Sequence, residues 1–394
     1  MPCALVNCNT YQKEQVRTAL DALLADLGGL EKYVPDGASV LIKANLIGAF
    51  PPEKAATTHP AVVEALCEKL ISECNARVTV GDSPGGLYNS QFLSRVYKVT
   101  GMTGACESSG AKLNFDFGSA EFDNPDGIVL KTIQCIDAFL KADVVINLAK
   151  FKTHALTGFT GCVKNLFGLM PGLAKVGLHS RFEDLGTFCD CLLDIERFAA
   201  EKVALHLIDG VVGMHKDGPS NGEPIALGKL IGADNAHHAD CVAISVFGNP
   251  LNISTVVKAV ERGILQPDLS DVPCDLSKIE ANTEFIAVST ASLKPFFKMK
   301  WFIKARWIQK LLRNLTTKKV KIVESKCRGC SKCVEHCPKT AMKLGGDKKV
   351  KIKQKSCIRC YCCQELCPFG AVEFKKPFFN YGKKRRNSKK RQEK

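Results

Sequence analysis

Two stretches near the C-terminus, KCRGCSKCVEHCP at residues 326–338 and SCIRCYCCQELCP at residues 356–368, carry the reading from which the rest follows. Cys327, Cys330, Cys333 and Cys337 precede Pro338 with the spacing C-x2-C-x2-C-x3-C-P, and Cys357, Cys360, Cys363 and Cys367 precede Pro368 with the same spacing. Three thiolates two residues apart can wrap three corners of one iron–sulfur cubane, while the fourth is displaced, stopped by a proline, and reaches a second cubane. The spacing therefore predicts crossed ligation of two [4Fe-4S] clusters. Cys327, Cys330, Cys333 and Cys367 would hold one, and Cys357, Cys360, Cys363 and Cys337 the other. Structural zinc favours paired C-x2-C units without the third and fourth cysteine, and a disulfide framework has no use for this repeat. Cys362 falls outside the register and reads as a spare thiol.

The chain has 394 residues and 20 cysteines. Outside the two motifs the cysteines are scattered without metal-ligand spacing. The N-terminus shows no basic start, apolar core or cleavage site, and no apolar run approaches the roughly 18 residues of a membrane span. A reducing, cytoplasmic and anaerobic setting suits both free thiols and clusters. The formal net charge of +15 hides a division. Residues 1–290 carry 24 Lys and Arg against 34 Asp and Glu, whereas residues 291–394 carry 31 against 6. Opposite halves of this kind call for different partners or for each other.

The first 290 residues alternate strand and helix patterns. ALVNC precedes a helical stretch from Gln12 to Leu27, and SVLIKANLIG leads to a helix capped by Thr58 with Pro60 in its first turn. ARVTVGDS, ADVVINLAKF, VALHLIDGVVG and the run around Leu227 to Ala233 are further apolar, β-branched strands. The fold class that follows is α/β, a largely parallel helix-covered sheet, followed by a small α+β domain of the bacterial-type ferredoxin kind. The predicted organisation is an α/β domain at 1–290, a basic amphipathic linker at 291–320, a two-cluster domain at 321–378 and a disordered basic tail at 379–394.

Ligands of parallel sheets sit beyond the carboxyl ends of the strands, and there the chain is polar. Lys43 and Asn45 follow the second strand and Asp82 the third, and Lys150, Lys152 and His154 end VVINLAKFKTH. Lys164, Asn165 and Asp209 come later. Lysines with glycine-supported amides suit a carboxylate or phosphate, and His59 or His154 could move a proton. A lone strand-end lysine is as well read as a solvated group, and a lone histidine as a packed one. Neither G-x4-G-K-[ST] nor a G-x-G-x-x-G after the first strand is present, so neither an NTPase nor a nicotinamide domain is supported.

The series LIKANL, THPAVVEAL, VTVGDSPGG, LAKFKTH, TGFTGCVKNLFG, IDGVVG and GADNAHHADCVA is similar to the family catalogued as the domain of unknown function numbered 362, often joined to a ferredoxin module as here. The resemblance implies an iron–sulfur protein of anaerobic metabolism and points to Lys43, Asn45, His59, Asp82, Lys152, His154, Lys164, Asn165 and Asp209 as positions of interest. It implies no reaction.

Lys294 to Lys321 holds ten basic residues and no acid, with Phe297, Trp301, Ile308, Leu312 and Leu315 on one helical stripe. This suits an anionic membrane surface or packing on the acidic N-terminal domain. No base-reading motif accompanies the terminal GKKRRNSKKRQEK, so nucleic acid is not an expected partner. Lysines and Arg359 around the cysteine motifs favour a reduced cluster and an acidic redox partner, another protein or the chain's own N-terminal domain. The expected function is electron transfer by two [4Fe-4S] clusters to or from a small anionic substrate in the α/β domain. The alternatives are an electron-transfer or cluster-handling adaptor and a peripheral membrane-surface redox protein, so whether the chain is an enzyme stays open.

Overall fold

A strand with every residue buried lies in the middle of the molecule, and its environment explains the rest. The computed structural model describes residues 3–287 and 318–375. In the first span the strands are β1 (Cys3–Asn7), β2 (Ser39–Lys43), β3 (Arg77–Gly81), β4 (Lys112–Leu113), β5 (Ser119–Asp123), β6 (Thr132–Ile136), β7 (Val144–His154), β8 (Gly158–Thr160), β9 (Val203–His215) and β10 (Glu223–Ala233). One sheet runs β1-β10-β9-β7-β2-β3-β4, with β8 turned back on β7 and β5 paired with β6 outside it. Strands β9, β7, β2, β3 and β4 are mutually parallel, whereas β1, β10 and β8 join antiparallel. The α/β, largely parallel reading holds.

Central parallel strands are covered on both faces and so lose the polar–apolar alternation of a half-exposed strand. Strand β7 is the clearest case, buried through all eleven residues. On one face α1 (Lys13–Asp26), α2 (Pro60–Cys74), α3 (Ser90–Val99) and α4 (Met102–Ser109) pack over Val40, Ile42, Val78, Val80, Ile146 and Leu205. The other face carries Leu41, Val145, Phe151 and Ile208 under helices that follow α5 (Asp137–Lys141), namely α6 (Cys162–Asn165), α7 (Ala174–Arg181), α8 (Leu185–Ala199), α9 (Ala236–Ser245) and α10 (Ser254–Glu261).

Helix α2 is capped by His59, not Thr58. The His59 Nδ1 accepts from the Ala61 N–H at 3.2 Å, and Pro60 occupies the first helical position, where a missing donor costs nothing. Thr58 instead donates its hydroxyl to Leu148 O and accepts from Asn45 N, tying the end of β2 to β7. Strand β7 carries Lys150 and Lys152 and ends at His154, the span read from VVINLAKFKTH.

The second span repeats itself at an interval of thirty residues. Helix α11 (Lys332–Glu335) corresponds to α12 (Cys362–Glu365), and β12 (Met342–Leu344) to β14 (Val372–Lys375). Strand β11 (Lys319–Ile322) pairs with β14, and β12 pairs with β13 (Val350–Ile352), both antiparallel. Gly329 and Arg359 occupy equivalent left-handed positions, φ +68° and +59°, as do Ser331 and Tyr361. At Gly329 a Cβ would lie 2.3 Å from Lys348 O, so glycine serves a close backbone approach there.

The two spans pack together. Ala155, just after β7, belongs to the small core of Val320, Met342, Val350 and Val372. Gln364 is fully buried, donating Nε2 to Asp217 O at 2.7 Å while its backbone carbonyl accepts from Ser220 Oγ at 3.1 Å. Asn221 Nδ2 donates to Val372 O, and Lys339 pairs with Glu183 at 2.7 Å. The stripe at 296–315 and the basic tail at 379–394 lie outside the described residues.

Candidate functional site

Two polar networks form at the carboxyl ends of the parallel strands, and they differ in whether anything is left over. The first is closed. Asp209 of β9 accepts from Tyr11 Oη at 2.8 Å, Lys150 Nζ at 2.7 Å, His59 N at 2.9 Å and Val211 N at 3.3 Å. Lys150 also donates to Tyr11 Oη, and the Tyr11 and His59 rings stack with centroids 3.5 Å apart. Burial pushes His59 down to about 4, so its ring is neutral. Both carboxylate oxygens of Asp209 are used, and neither His59 nor Asp209 lines the cavity of the second network.

The second network surrounds a cavity that offers about 90 Å³ to the centres of water molecules, space for roughly six to nine of them. Of the residues picked out from the sequence, Asn45, Asp82, Lys152, His154, Lys164 and Asn165 line it. Lys43 lies beneath the floor, bonded to Asp82 Oδ1 at 2.8 Å, Ala44 O at 2.7 Å and Asn165 Oδ1 at 3.2 Å. Asp82 Oδ2 accepts from Leu46 N at 2.7 Å. At Gly168, above this pair, a Cβ would fall 2.3 Å from Asp82 Oδ1 and 2.6 Å from Lys43 Nζ, so only glycine closes the floor. Asn165 is saturated, donating to Lys43 O and Asn147 Oδ1 and accepting from Lys43 Nζ and Asn45 Nδ2.

Lys152 donates to Asn45 Oδ1 and Ala56 O, each at 2.6 Å. Burial pushes its ammonium down to about 7, opposed by Glu365 and assisted by Lys164. His154 is oriented by the backbone. Its Nδ1 accepts from Leu156 N at 3.1 Å and Thr157 N at 3.3 Å, so the ring proton sits on Nε2, which faces Glu365 Oε1 at 3.0 Å. Burial lowers His154 to about 4, while Glu365 falls to about 2 because contact with His154 and the nearby Lys164 outweighs its own desolvation. The pair is therefore a neutral imidazole against a carboxylate.

Several wall residues escaped sequence reasoning. Lys175 and His179 stand one turn apart on α7, an i, i+4 pair that a helical reading of that stretch would have brought together. Lys175 donates to Ser83 O at 2.5 Å, Met170 O at 2.6 Å and Ser83 Oγ at 3.2 Å, and burial pushes it down to about 7. His179 stacks on Phe188 with centroids 4.3 Å apart. The second span adds Cys362, Glu365 and Leu366, of α12 and its flank, to the wall. Cys362, outside the motif spacing, thus lines the cavity while lying between Cys360 and Cys363 in the sequence.

The cysteines themselves group across the repeat. Burial raises the Cys333 thiol to about 12, and the neighbouring sulfurs that add to this are Cys367, Cys330 and Cys327. Around Cys357 the sulfurs are those of Cys360 and Cys337. Cys363 feels Cys360, Cys357, Cys333 and Cys337, so the two groups adjoin. Ala341 N donates to Cys337 Sγ at 3.2 Å and Ala371 N to Cys367 Sγ at 3.3 Å, donors of the kind that stabilise a cluster thiolate. Among the described residues no three Cys, His, Asp or Glu close on a single ion. Two sets of four thiols with backbone donors on the displaced sulfurs fit cubanes, whose corners stand farther apart than the ligands of one ion.

Comparison with known proteins adds a family and a relative. Residues 40–245 match the family described as Domain of unknown function (DUF362), and residues 326–371 match the 4Fe-4S dicluster domain. The chain is 29% identical over 282 residues to the thylakoid-associated protein sll1697 of Synechocystis sp., an alignment covering 70% of this chain and 83% of that protein. Among solved structures it is similar, at 14% identity and a TM-score of 0.37, to the lactate racemase apoprotein from Thermoanaerobacterium thermosaccharolyticum, over 59% of this chain and 54% of that one. A structural-genomics protein from Thermotoga maritima gives 14% identity and a TM-score of 0.32, over 56% of this chain and 55% of that one. The chain spans little more than half of each of these two structures.

Proposed function

We propose, for a chain that belongs to the DUF362 family and carries a 4Fe-4S dicluster domain, that it binds two [4Fe-4S] clusters and exchanges electrons with a small anionic compound held in the cavity between its two spans. One observation supports this above the others. The cavity wall is built from lysines of the α/β part on one side and from α12 on the other, where Cys362 lies between the cluster cysteines Cys360 and Cys363. The clusters would supply one-electron transfer at that wall. The chain's own residues do the rest: Lys152, Lys164 and Lys175 attract the anion, His154 presents its Nε2 proton toward Glu365, and α12 covers the cavity against water.

The experiment is anaerobic reduction with dithionite followed by addition of small carboxylates and phosphorylated compounds, with the visible absorbance of the clusters as readout. Reoxidation by one of them is the expected result. Clusters that ignore every compound yet reoxidise with an electron-carrier protein would leave the α/β part as a docking adaptor. For that case the partner is an acidic carrier, matched to the +25 of residues 291–394, in a reducing cytoplasmic setting.

Anion binding here should depend on pH. Lys152 and Lys175 lie near 7 when buried, below their ordinary 10.5, so both lose their charge as pH rises through neutrality. Below 10.5 the unfolded chain binds the protons that these folded lysines shed, so the empty cavity gains stability as pH rises from about 7. An anion reverses the preference by favouring the ammonium forms. Calorimetric affinity should therefore be higher at about pH 6.5 than at about pH 8.5, with net proton uptake on binding. Affinity that rises with pH would remove the lysines from the account.

A membrane-surface reading rests on a different observation, the ten basic residues and interleaved aromatics of Lys294 to Lys321, together with the printed name of the thylakoid-associated relative. None of the described helices is long and apolar enough to cross a membrane. Co-sedimentation of the full chain with anionic but not with neutral vesicles would favour it.

A further inference from the structure

The three lysines of the cavity are not equivalent. Lys175 spends its donors on Ser83 and Met170, and Lys152 spends two on Asn45 Oδ1 and Ala56 O, keeping one. Lys164 Nζ has no hydrogen-bond acceptor among the described residues. Its neighbours are the ring faces of Phe167 and Phe188, with centroids at 4.8 and 5.8 Å, although the residue is only 9% exposed. Thr160 is 3% exposed and lines the same cavity, and its Oγ1 has no partner among the described residues. Buried donors left unmade are costly, so a lone ammonium and a lone hydroxyl in the lining of one cavity mark where a ligand's acceptors belong.

Charge sets the ligand's valence. Asp82 and Glu365 are the acids of the cavity wall, and Asp82 is already paired with Lys43 at 2.8 Å. His154 accepts two backbone N–H groups on Nδ1 and brings no positive charge. With all three lysines protonated, three ammonium groups face one unbalanced carboxylate, an excess of two positive charges, so protonation of these lysines and binding of two negative charges favour each other. Register sets the spacing. Lys152 and Thr160 are direct cross-strand partners of β7 and β8, so their side chains rise on one face side by side.

We propose that the cavity is a site for a small dianion, with one anionic group on Lys164 Nζ and the other between Lys152 Nζ and Thr160 Oγ1. This deepens the small-anion reading above and rests on it for the location. The cavity admits a compound of roughly six to nine non-hydrogen atoms, the scale of a four-carbon dicarboxylate or a small phosphorylated compound. Both sources share the chemistry of two negative charges on oxygen.

The test is isothermal calorimetry on the anaerobic, cluster-loaded full chain with three probes: succinate, butyrate as the same carbon skeleton with one charge, and inorganic phosphate. Succinate or phosphate should bind at least about tenfold more tightly than butyrate, and Lys164→Met should abolish that margin, because each charged hydrogen bond is a factor of about ten or more. Thr160→Val should weaken the same probe about threefold or more, with iron content and melting temperature unchanged. Succinate ahead of phosphate assigns a dicarboxylate, and the reverse order a phosphoryl group. Failure of both succinate and phosphate to bind more tightly than butyrate, or a Lys164→Met variant that keeps the margin, overturns the proposal. Failure of the electron-transfer reading looks different. Dianions would bind and lose affinity in the variants while no compound reoxidised the reduced clusters.

Discussion

Changing Cys337 to alanine should cost the cluster of the other motif, lowering iron and acid-labile sulfide from roughly eight each per chain to roughly four. The set expected to survive is Cys327, Cys330, Cys333 and Cys367, because the sulfurs of Cys367, Cys330 and Cys327 neighbour that of Cys333. Cys337 stands instead with Cys357, its sulfur accepting from Ala341 N at the mouth of the second set. Alanine removes the sulfur and leaves that N–H without its acceptor, so three thiolates remain around Cys360 and cannot complete a four-ligand cubane. The reciprocal change, Cys367 to alanine, should spare the second set and cost the first. Iron analysis with low-temperature electron paramagnetic resonance of the reduced protein reads both. Loss of the cluster bound by Cys327, Cys330 and Cys333 in the Cys337 variant would mean that each motif ligates its own cluster.

The 4Fe-4S dicluster domain was legible because the information is local: a fixed spacing and a proline, twice. The parallel sheet was legible for the same reason, since β2, β3, β7 and β9 are apolar β-branched runs followed by polar turns. What the chain could not disclose was which strand-end polar residues would meet one another. His59 and Asp209 have the same character as His154 and Asp82, yet the first two meet in a network with Tyr11 and Lys150, and the second two line a cavity. The difference lies in register and in what packs above. Glu365 meets His154 across more than two hundred residues, and only the docking of the second span makes Cys362 and Glu365 a wall. Lys175 and His179 sat in a stretch with no motif, where their one-turn spacing was the sole hint. Thr58 was read as the helix cap because hydroxyls are common caps, but its hydroxyl was more useful bridging Asn45 and Leu148.

The closed network makes the opposite demand from the open one, and it predicts a large loss of stability with little loss of binding. In Asp209→Asn the side chain keeps its shape but loses the charge that holds Lys150, and removing one partner of a buried ion pair costs about 3–5 kcal/mol. Lys150 and Asp209 are essentially unexposed, so water cannot substitute. For a domain of this size the melting temperature should fall by roughly 10 °C. The deficit should also depend on pH in a fixed direction. Burial already lowers Lys150 below its ordinary 10.5, and Asp209 is the main influence raising it again. Without the carboxylate the folded lysine gives up its proton more readily, while in the unfolded chain it keeps it up to 10.5. Below 10.5 the unfolded state then binds more protons than the folded one, so the variant recovers stability as pH rises and its deficit narrows as pH approaches 10.5. Denaturant melts at several pH values, run beside the dianion calorimetry, separate the two networks. A variant as stable as the parent that has instead lost the dianion would move Asp209 from the scaffold into the site.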